Sequence, residues 1–190
     1  MKKLTLMAGP CAVENEKTAM FVAQEILRVL EKNPVLKENI DFIFKASYKK
    51  ANRTRLDSFT GIDKQEALNV LKKIRDDLGV PVITDIHESY EAEMVAEYVT
   101  QLQIPAFLCR QTDLLVAAGK TGLPVNVKKG QFVSPEMMQH AVTKVKSAGQ
   151  NSEVFLCERG TTFGYKNLVV DFTSIPKMRK YAPVILDATL

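Results

Sequence analysis

The sequence predicts an α/β chain built as a (β/α)8 (TIM) barrel, incomplete, with about seven of its eight strands present. Three observations carry that expectation. Short apolar, often β-branched runs alternate with amphipathic stretches of helical period along the whole chain, the pattern of a parallel sheet joined by helices. Polar side chains follow nearly every one of those runs. An open doubly wound sheet draws its polar groups from two or three strand ends, whereas groups from so many strand ends converge only if the strands form a ring. Finally, no G-x-G-x-x-G or P-loop spacing competes, because Gly160 and Gly164 are too few and wrongly spaced.

In chain order, the first strand is Leu4 to Ala8, with Cys11 and Glu14 after it. A helix follows in which Ala19, Val22, Ala23, Ile26, Val29 and Leu30 recur at three and four, with Glu16, Lys17, Glu25, Arg28 and Glu31 opposite. The second strand, Ile40 to Phe44, runs into a basic loop. The next helix carries Ala67, Leu68, Val70, Leu71 and Ile74 on one face and is stopped by Gly79 and Pro81. Val80 to Thr84 forms the third strand, followed by Asp85, His87 and Glu88 and by a helix over Ser89 to Tyr98. Val99 to Ile104 and Pro124 to Val127 are the fourth and fifth strands, separated by a helix over Thr112 to Lys120. A helix over Pro135 to Ser147, closing on Gly149, precedes the sixth strand, Glu153 to Cys157, and the seventh is Ala182 to Leu186. A complete barrel needs about 250 residues. Residues 1–190 are therefore expected to form one barrel domain without its C-terminal strand and helices, those elements being missing or supplied from elsewhere.

Composition narrows the class of molecule. The chain is 46% apolar and 25% charged, with a net charge of +4, ordinary globular usage that does not by itself call for nucleic acid. It has no apolar run of about 18 residues, and the short apolar stretch between Met1-Lys2-Lys3 and Gly9-Pro10 is too little for a signal peptide. A cytoplasmic protein with no membrane partner is expected. The three cysteines, Cys11, Cys109 and Cys157, are widely spaced with no CxxC pair, so no disulfide framework is expected. Cys109 and Cys157 read as small packing residues.

The basic loop carries the functional signal. Residues 44–55 read FKASYKKANRTR, which sets Lys45, Lys49, Lys50, Arg53 and Arg55 among Ser47, Asn52 and Thr54 with no Asp or Glu. A solvated helix face would place acids three or four residues from its bases. This loop instead suits a small, strongly anionic ligand. Lys45, Lys50, Arg53, Lys128 and Arg159 all lie at strand ends, and a phosphate monoester carries roughly two negative charges at neutral pH. That many cations match two phosphates and a carboxylate better than one phosphate. The mixture of planar guanidinium forks and mobile ammonium groups also suggests several distinct anionic groups. Tyr48 is the only aromatic among the loop cations, and the chain has no Trp, so base stacking, and with it nucleic acid, is not expected.

Taken together, AGPCAVE (Ala8 to Glu14), FKASYKKANR (Phe44 to Arg53), TDIHE (Thr84 to Glu88), QIPAFLCRQTDLL (Gln103 to Leu115), NVKKGQFVSP (Asn126 to Pro135), ERGTTFGYKNLVVDF (Glu158 to Phe172) and DAT (Asp187 to Thr189) closely resemble the 3-deoxy-D-manno-octulosonate 8-phosphate synthases, also called 2-dehydro-3-deoxyphosphooctonate aldolases. The resemblance implies condensation of phosphoenolpyruvate with D-arabinose 5-phosphate and water, releasing phosphate, in lipopolysaccharide biosynthesis. It also implies a homo-oligomer, a tetramer in the family. By motif, Lys45, Ser47 and Lys50, with Gln103 nearby, would hold the carboxylate of phosphoenolpyruvate. Lys128, Arg159 and the backbone at Ala106 would hold its phosphate. Asn52, Arg53, Thr54 and Asp85 would receive the sugar phosphate, and Arg110 would reach a neighbouring subunit. Lys45, Lys50, Asn52, Asp85 and His87 are the expected catalytic group, His87 being either a site residue or a satisfied structural histidine.

Cys11 in the Gly-Pro-Cys motif resembles the metal-dependent branch, which implies a divalent Zn, Fe or Mn. The family's His ligand would fall at Leu190 and its Glu and Asp ligands beyond it, so a full ligand set is not expected in this chain. Thr54 stands where Ser is common, and Arg55 and Thr60 also depart from the usual loop. Two alternatives stay open. One is the sister 3-deoxy-D-arabino-heptulosonate 7-phosphate synthase using erythrose 4-phosphate, which typically shows Lys-Pro-Arg-Thr where this chain has Lys50-Ala51-Asn52-Arg53. The other is a non-catalytic anion-binding barrel remnant.

Overall fold

Strand and helix alternate as the hydrophobic pattern requires. The computed structural model describes residues 3–148 and 152–189, in two compact units: Met1–Asp85 with Tyr98–Thr100, and Ile86–Glu97 with Gln101–Leu190.

In the first unit the order is β1 (Leu4–Ala8), α1 (Glu16–Lys32), α2 (Pro34–Asn39), β2 (Ile40–Lys45), α3 (Lys64–Leu78) and β3 (Val82–Asp85). β1 and β2 pair in parallel from Leu4 opposite Ile40 to Ala8 opposite Phe44, and Phe44 of β2 lies opposite Val82 of β3. Asn15 caps α1, its side chain accepting from Thr18 N at 2.8 Å. Asp63 caps α3 by accepting from Gln65 N and Glu66 N, and Gly79, at φ 64°, takes the left-handed turn that ends it. The face of α3 that is buried, Ala67, Leu68, Val70, Leu71 and Ile74, is the one its periodicity predicts. Burying each large apolar side chain stabilises by about 1.5–3 kcal/mol.

In the second unit α4 (Glu91–Ala96), β4 (Gln101–Ile104), α5 (Thr112–Lys120), β5 (Val125–Lys128), α6 (Met138–Ala148), β6 (Val154–Glu158), the hairpin β7 (Thr161–Phe163) and β8 (Asn167–Val169), α7 (Ser174–Met178) and β9 (Val184–Leu186) follow in order. The pairs β4–β5, β5–β6 and β6–β9 are parallel, while β7–β8 is antiparallel. Leu102, Ile104, Leu115, Val125, Val127 and Leu156 are fully buried.

The expected α/β class holds, with seven strands in parallel pairs alternating with helices, the element order of an incomplete (β/α)8 barrel. The third expected helix is shorter than Ser89 to Tyr98, and the fourth strand begins at Gln101 rather than Val99. The cause is Thr100, whose N and Oγ1 both donate to Val82 O at 3.0 Å while Val82 N donates back to Oγ1 at 2.8 Å. The expected helix stop at Gly149 lies outside the described residues. Among the described residues no helix is long and apolar enough to cross a membrane.

Candidate functional site

The end of β2 is fixed from two sides. Gly9 follows β1, and a Cβ there would stand 2.2 Å from the carbonyl oxygen of Lys45. Only glycine lets the two segments pass so closely. One step on, Ala12 bridges Ser47, with Val13 N donating to Ser47 O at 3.0 Å. The basic loop thus starts from a clamped strand end.

Four of the expected residues meet there. Lys45 Nζ and Lys50 Nζ both donate to Ser47 Oγ, at 3.0 and 2.9 Å. Ser47 Oγ in turn donates to Asp85 Oδ2 in a short hydrogen bond, and Lys45 Nζ lies 3.4 Å from the same oxygen. A hydroxyl has one proton and two lone pairs, so Ser47 is saturated and holds two ammonium groups side by side. Burial and the neighbouring charge of Lys45 push the Lys50 ammonium below its ordinary pKa, against the pull of Asp85 and Cys11. The exposed Cys11 thiol is pulled down: burial opposes its ionisation, but a hydrogen bond from Lys50 and the charges of Lys50, Lys45 and Arg53 outweigh that.

The rest of the loop spreads out. Asn52, Arg53 and Thr54 lie on an exposed run, Arg53 Nε donating to Phe59 O at 3.1 Å. Arg55, counted among the loop cations, forms an exposed bidentate pair with Asp57 at 2.6 and 2.9 Å.

In the second unit the expected residues have separate partners. Lys128 Nζ donates to Asp187 Oδ2 at 2.6 Å. Burial opposes the charged form of Asp187, yet hydrogen bonds from Lys128 and Thr189, with the charge of Lys128, hold it down at about 2. Arg159 is half-buried, and its Nε is buried without a hydrogen-bond partner among the described residues. An unpaired buried guanidinium donor is costly unless an acceptor arrives. Gln103 is buried and accepts from Asn126 Nδ2 at 2.9 Å. Ala106 opens a 3-10 turn, Ala106–Leu108. Arg110 is exposed, its guanidinium 4.9 Å from the Phe132 ring centroid.

His87 is buried. Its backbone N donates to Glu91 Oε2 at 2.7 Å, Glu88 N donates to the same oxygen at 3.2 Å, and His87 Nδ1 stands 3.8 Å from it. Sequence reasoning missed Glu91 as the acid that shapes this turn. Nor does the sequence signal the partnership of Lys129, just after β5, with Glu158, the last residue of β6. Both are 1% exposed and 3.5 Å apart. Lys129 Nζ also donates to Gly160 O and Thr161 Oγ1, and Glu158 accepts from Gly160 N and Ser174 Oγ. The pair ties β6 to β7 and α7. Burial raises the Cys109 thiol and pushes Cys157 up to about 12, which suits inert packing.

The described residues do not by themselves complete a divalent-metal site. Among them no three His, Cys, Asp or Glu side chains gather, and Cys11 has three cations for neighbours. A catalytic site typically needs about three protein ligands. The position expected to carry His, Leu190, lies outside the described residues.

The model of the DAHP synthetase I family matches residues 1–189. A curated relative from Koribacter versatilis (strain Ellin345), named 2-dehydro-3-deoxyphosphooctonate aldolase, is 56% identical over 187 residues, covering 98% of this chain and 65% of that protein. Proteins of the same name from Campylobacter jejuni subsp. jejuni serotype O:6 (strain 81116 / NCTC 11828) and Cyanothece sp. (strain PCC 7425 / ATCC 29141) are 49% and 50% identical, over 100% and 97% of this chain and 72% and 66% of theirs. The chain thus spans about two thirds of the length of the curated relatives it matches.

Proposed function

We propose, from the premise that this chain belongs to the DAHP synthetase I family, that it acts as a 2-dehydro-3-deoxyphosphooctonate aldolase, joining phosphoenolpyruvate to D-arabinose 5-phosphate. The observation that carries this reading is the sharing of one hydroxyl, Ser47, by the ammonium groups of Lys45 and Lys50. Asp85 is one carboxylate against two cations, which leaves positive charge for an arriving anion. The name shared by the relatives, 2-dehydro-3-deoxyphosphooctonate aldolase, supports this choice of reaction.

In this reading Lys45, Ser47 and Lys50, with Gln103, receive the carboxylate of phosphoenolpyruvate. Lys128, Arg159 and the backbone at Ala106 receive its phosphate, and the unpartnered Arg159 Nε is a donor ready for an acceptor. The exposed run Asn52, Arg53 and Thr54 receives the sugar phosphate. Asp85 works through Ser47 and Lys45, both of which it contacts. C3 of phosphoenolpyruvate bonds to the sugar aldehyde carbon, the aldehyde oxygen takes a proton, water adds at C2, and the C2–O bond breaks to free phosphate. The cations screen the repulsion between two polyanions and hold the reacting carbons within reach. Cys11 is proposed as the single residue of the described chain through which a family metal would be held. An assembly of several copies, with Arg110 reaching a neighbour, belongs to the same proposal.

The test is phosphate release from phosphoenolpyruvate with arabinose 5-phosphate, run beside erythrose 4-phosphate and with manganese, zinc or chelator. Release with arabinose 5-phosphate is expected. The matching family model carries the description DAHP synthetase I, so preference for erythrose 4-phosphate would transfer the proposal to the heptulosonate reaction. No release with either sugar, despite phosphoenolpyruvate binding, would leave an anion-binding protein.

A further inference from the structure

We infer that Asp187 is an internal competitor for Lys128: it holds the ammonium group in the absence of ligand, yields it to an arriving phosphate, and retakes it as inorganic phosphate departs. The inference rests on the proposed phosphate role of Lys128. Its basis is how the two carboxylate oxygens are divided. Oδ2 takes Lys128 Nζ at 2.6 Å, whereas Oδ1 accepts from Thr189 N at 3.1 Å and Thr189 Oγ1 at 2.8 Å. Asp187 N donates to Glu158 O at 2.9 Å. The carboxylate therefore stays anchored by one oxygen and by its backbone when the other loses its partner.

Among the described residues Lys128 is held by a single ion pair on a flexible four-carbon stem, and the two side chains are 20% and 17% exposed, so the pair is within reach of solvent and ligand. A permanent structural pair in the same unit is built differently. Lys129 and Glu158 are sealed at 1% exposure, with three further acceptors on the ammonium group. The Lys128 pair has the features of an exchangeable contact.

The consequence concerns release. A pocket offering Lys128 and Arg159 without opposing charge would retain the phosphate product. A carboxylate that occupies Lys128 most of the time lowers phosphate affinity in proportion to the fraction of molecules in which Lys128 is available.

Binding of inorganic phosphate to the full chain, by equilibrium dialysis without substrates, tests this. Asp187→Asn should bind phosphate about tenfold more tightly, and phosphate should become a correspondingly stronger product inhibitor. Unchanged or weaker binding would overturn the inference. Should that variant not fold, Thr189→Val decides. Loss of the hydroxyl loosens Asp187 without touching Lys128, and about two- to threefold tighter binding is expected, with unchanged or weaker binding again contradicting it. No measurable phosphate binding by any form would also overturn it. Failure of the proposed function reads differently: tighter phosphate binding with no phosphate released from phosphoenolpyruvate would refute the reaction and leave the competitor standing.

Discussion

The cation cluster at the end of β2 and the one at the end of β5 solve the same problem in opposite ways. At β2, Lys45 and Lys50 are gathered on one hydroxyl, so positive charge is concentrated and only partly offset by Asp85. At β5, Lys128 is matched one to one with Asp187, while Arg159 keeps a buried donor without a partner among the described residues. The contrast teaches that a lysine at a strand end is not by itself a ligand site. What matters is how its charge is distributed before a ligand arrives, and Lys129, sealed against Glu158, is a lysine whose charge is spent on the fold.

The sharpest test of that distinction is Glu158→Ala. Removing one partner of a fully buried pair leaves Lys129 unpaired, and a loss of about 3–5 kcal/mol in unfolding free energy is expected by denaturant titration. A loss as small as that of a surface variant would place Lys129 among the ligand-facing cations instead. Next in size, Lys50→Ala should lower kcat/KM by about a hundredfold with little change in thermal midpoint, because Lys50 serves the cluster rather than the core. A matching loss of stability would mean that the cluster is structural.

Acid dependence comes third. Asp187 is held at about 2 against an ordinary value of 3.8. A depressed carboxylate stabilises the fold fully above about pH 4, and the contribution is lost as pH falls through about 2. After solvent screening it amounts to about 1 kcal/mol. The stability gap between the wild-type chain and Asp187→Asn should therefore shrink as pH is lowered from 4 towards 2 and remain constant from 5 to 7. The smallest effect is Arg55→Ala, where the exposed pair with Asp57 should contribute nothing measurable to the thermal midpoint or to turnover.

Much of this was legible in the sequence, for reasons that differ by element. The first strand and the helix over Thr112 to Lys120 coincide with β1 and α5 residue for residue, since both are bounded by unambiguous polar or turn residues. The hairpin β7–β8 leaves no mark on the hydrophobic pattern, because strands of three mostly exposed residues carry no two-sided apolar alternation. α2 carries a capping signal in its Asn33-Pro34 start but no apolar periodicity, since none of its residues is buried. α7, five residues long, lacks a side-chain cap hydrogen bond. For the candidate site, the cations could be read from residue type and position after strands. Their partners could not. Asp187 lies 59 residues from Lys128 and Asp85 lies 38 from Ser47, and only the strand register brings such pairs into contact. The family resemblance holds over nearly the whole chain.

The most direct test of the central claim uses phosphoenolpyruvate labelled with heavy oxygen in the bridge between C2 and phosphorus. Condensation by this chain predicts that, with arabinose 5-phosphate present, the label leaves in inorganic phosphate as the C2–O bond breaks, and that no phosphate appears without the sugar. Label retained in the carbon product, or phosphate released at the same rate without sugar, would mean P–O hydrolysis and would contradict the account.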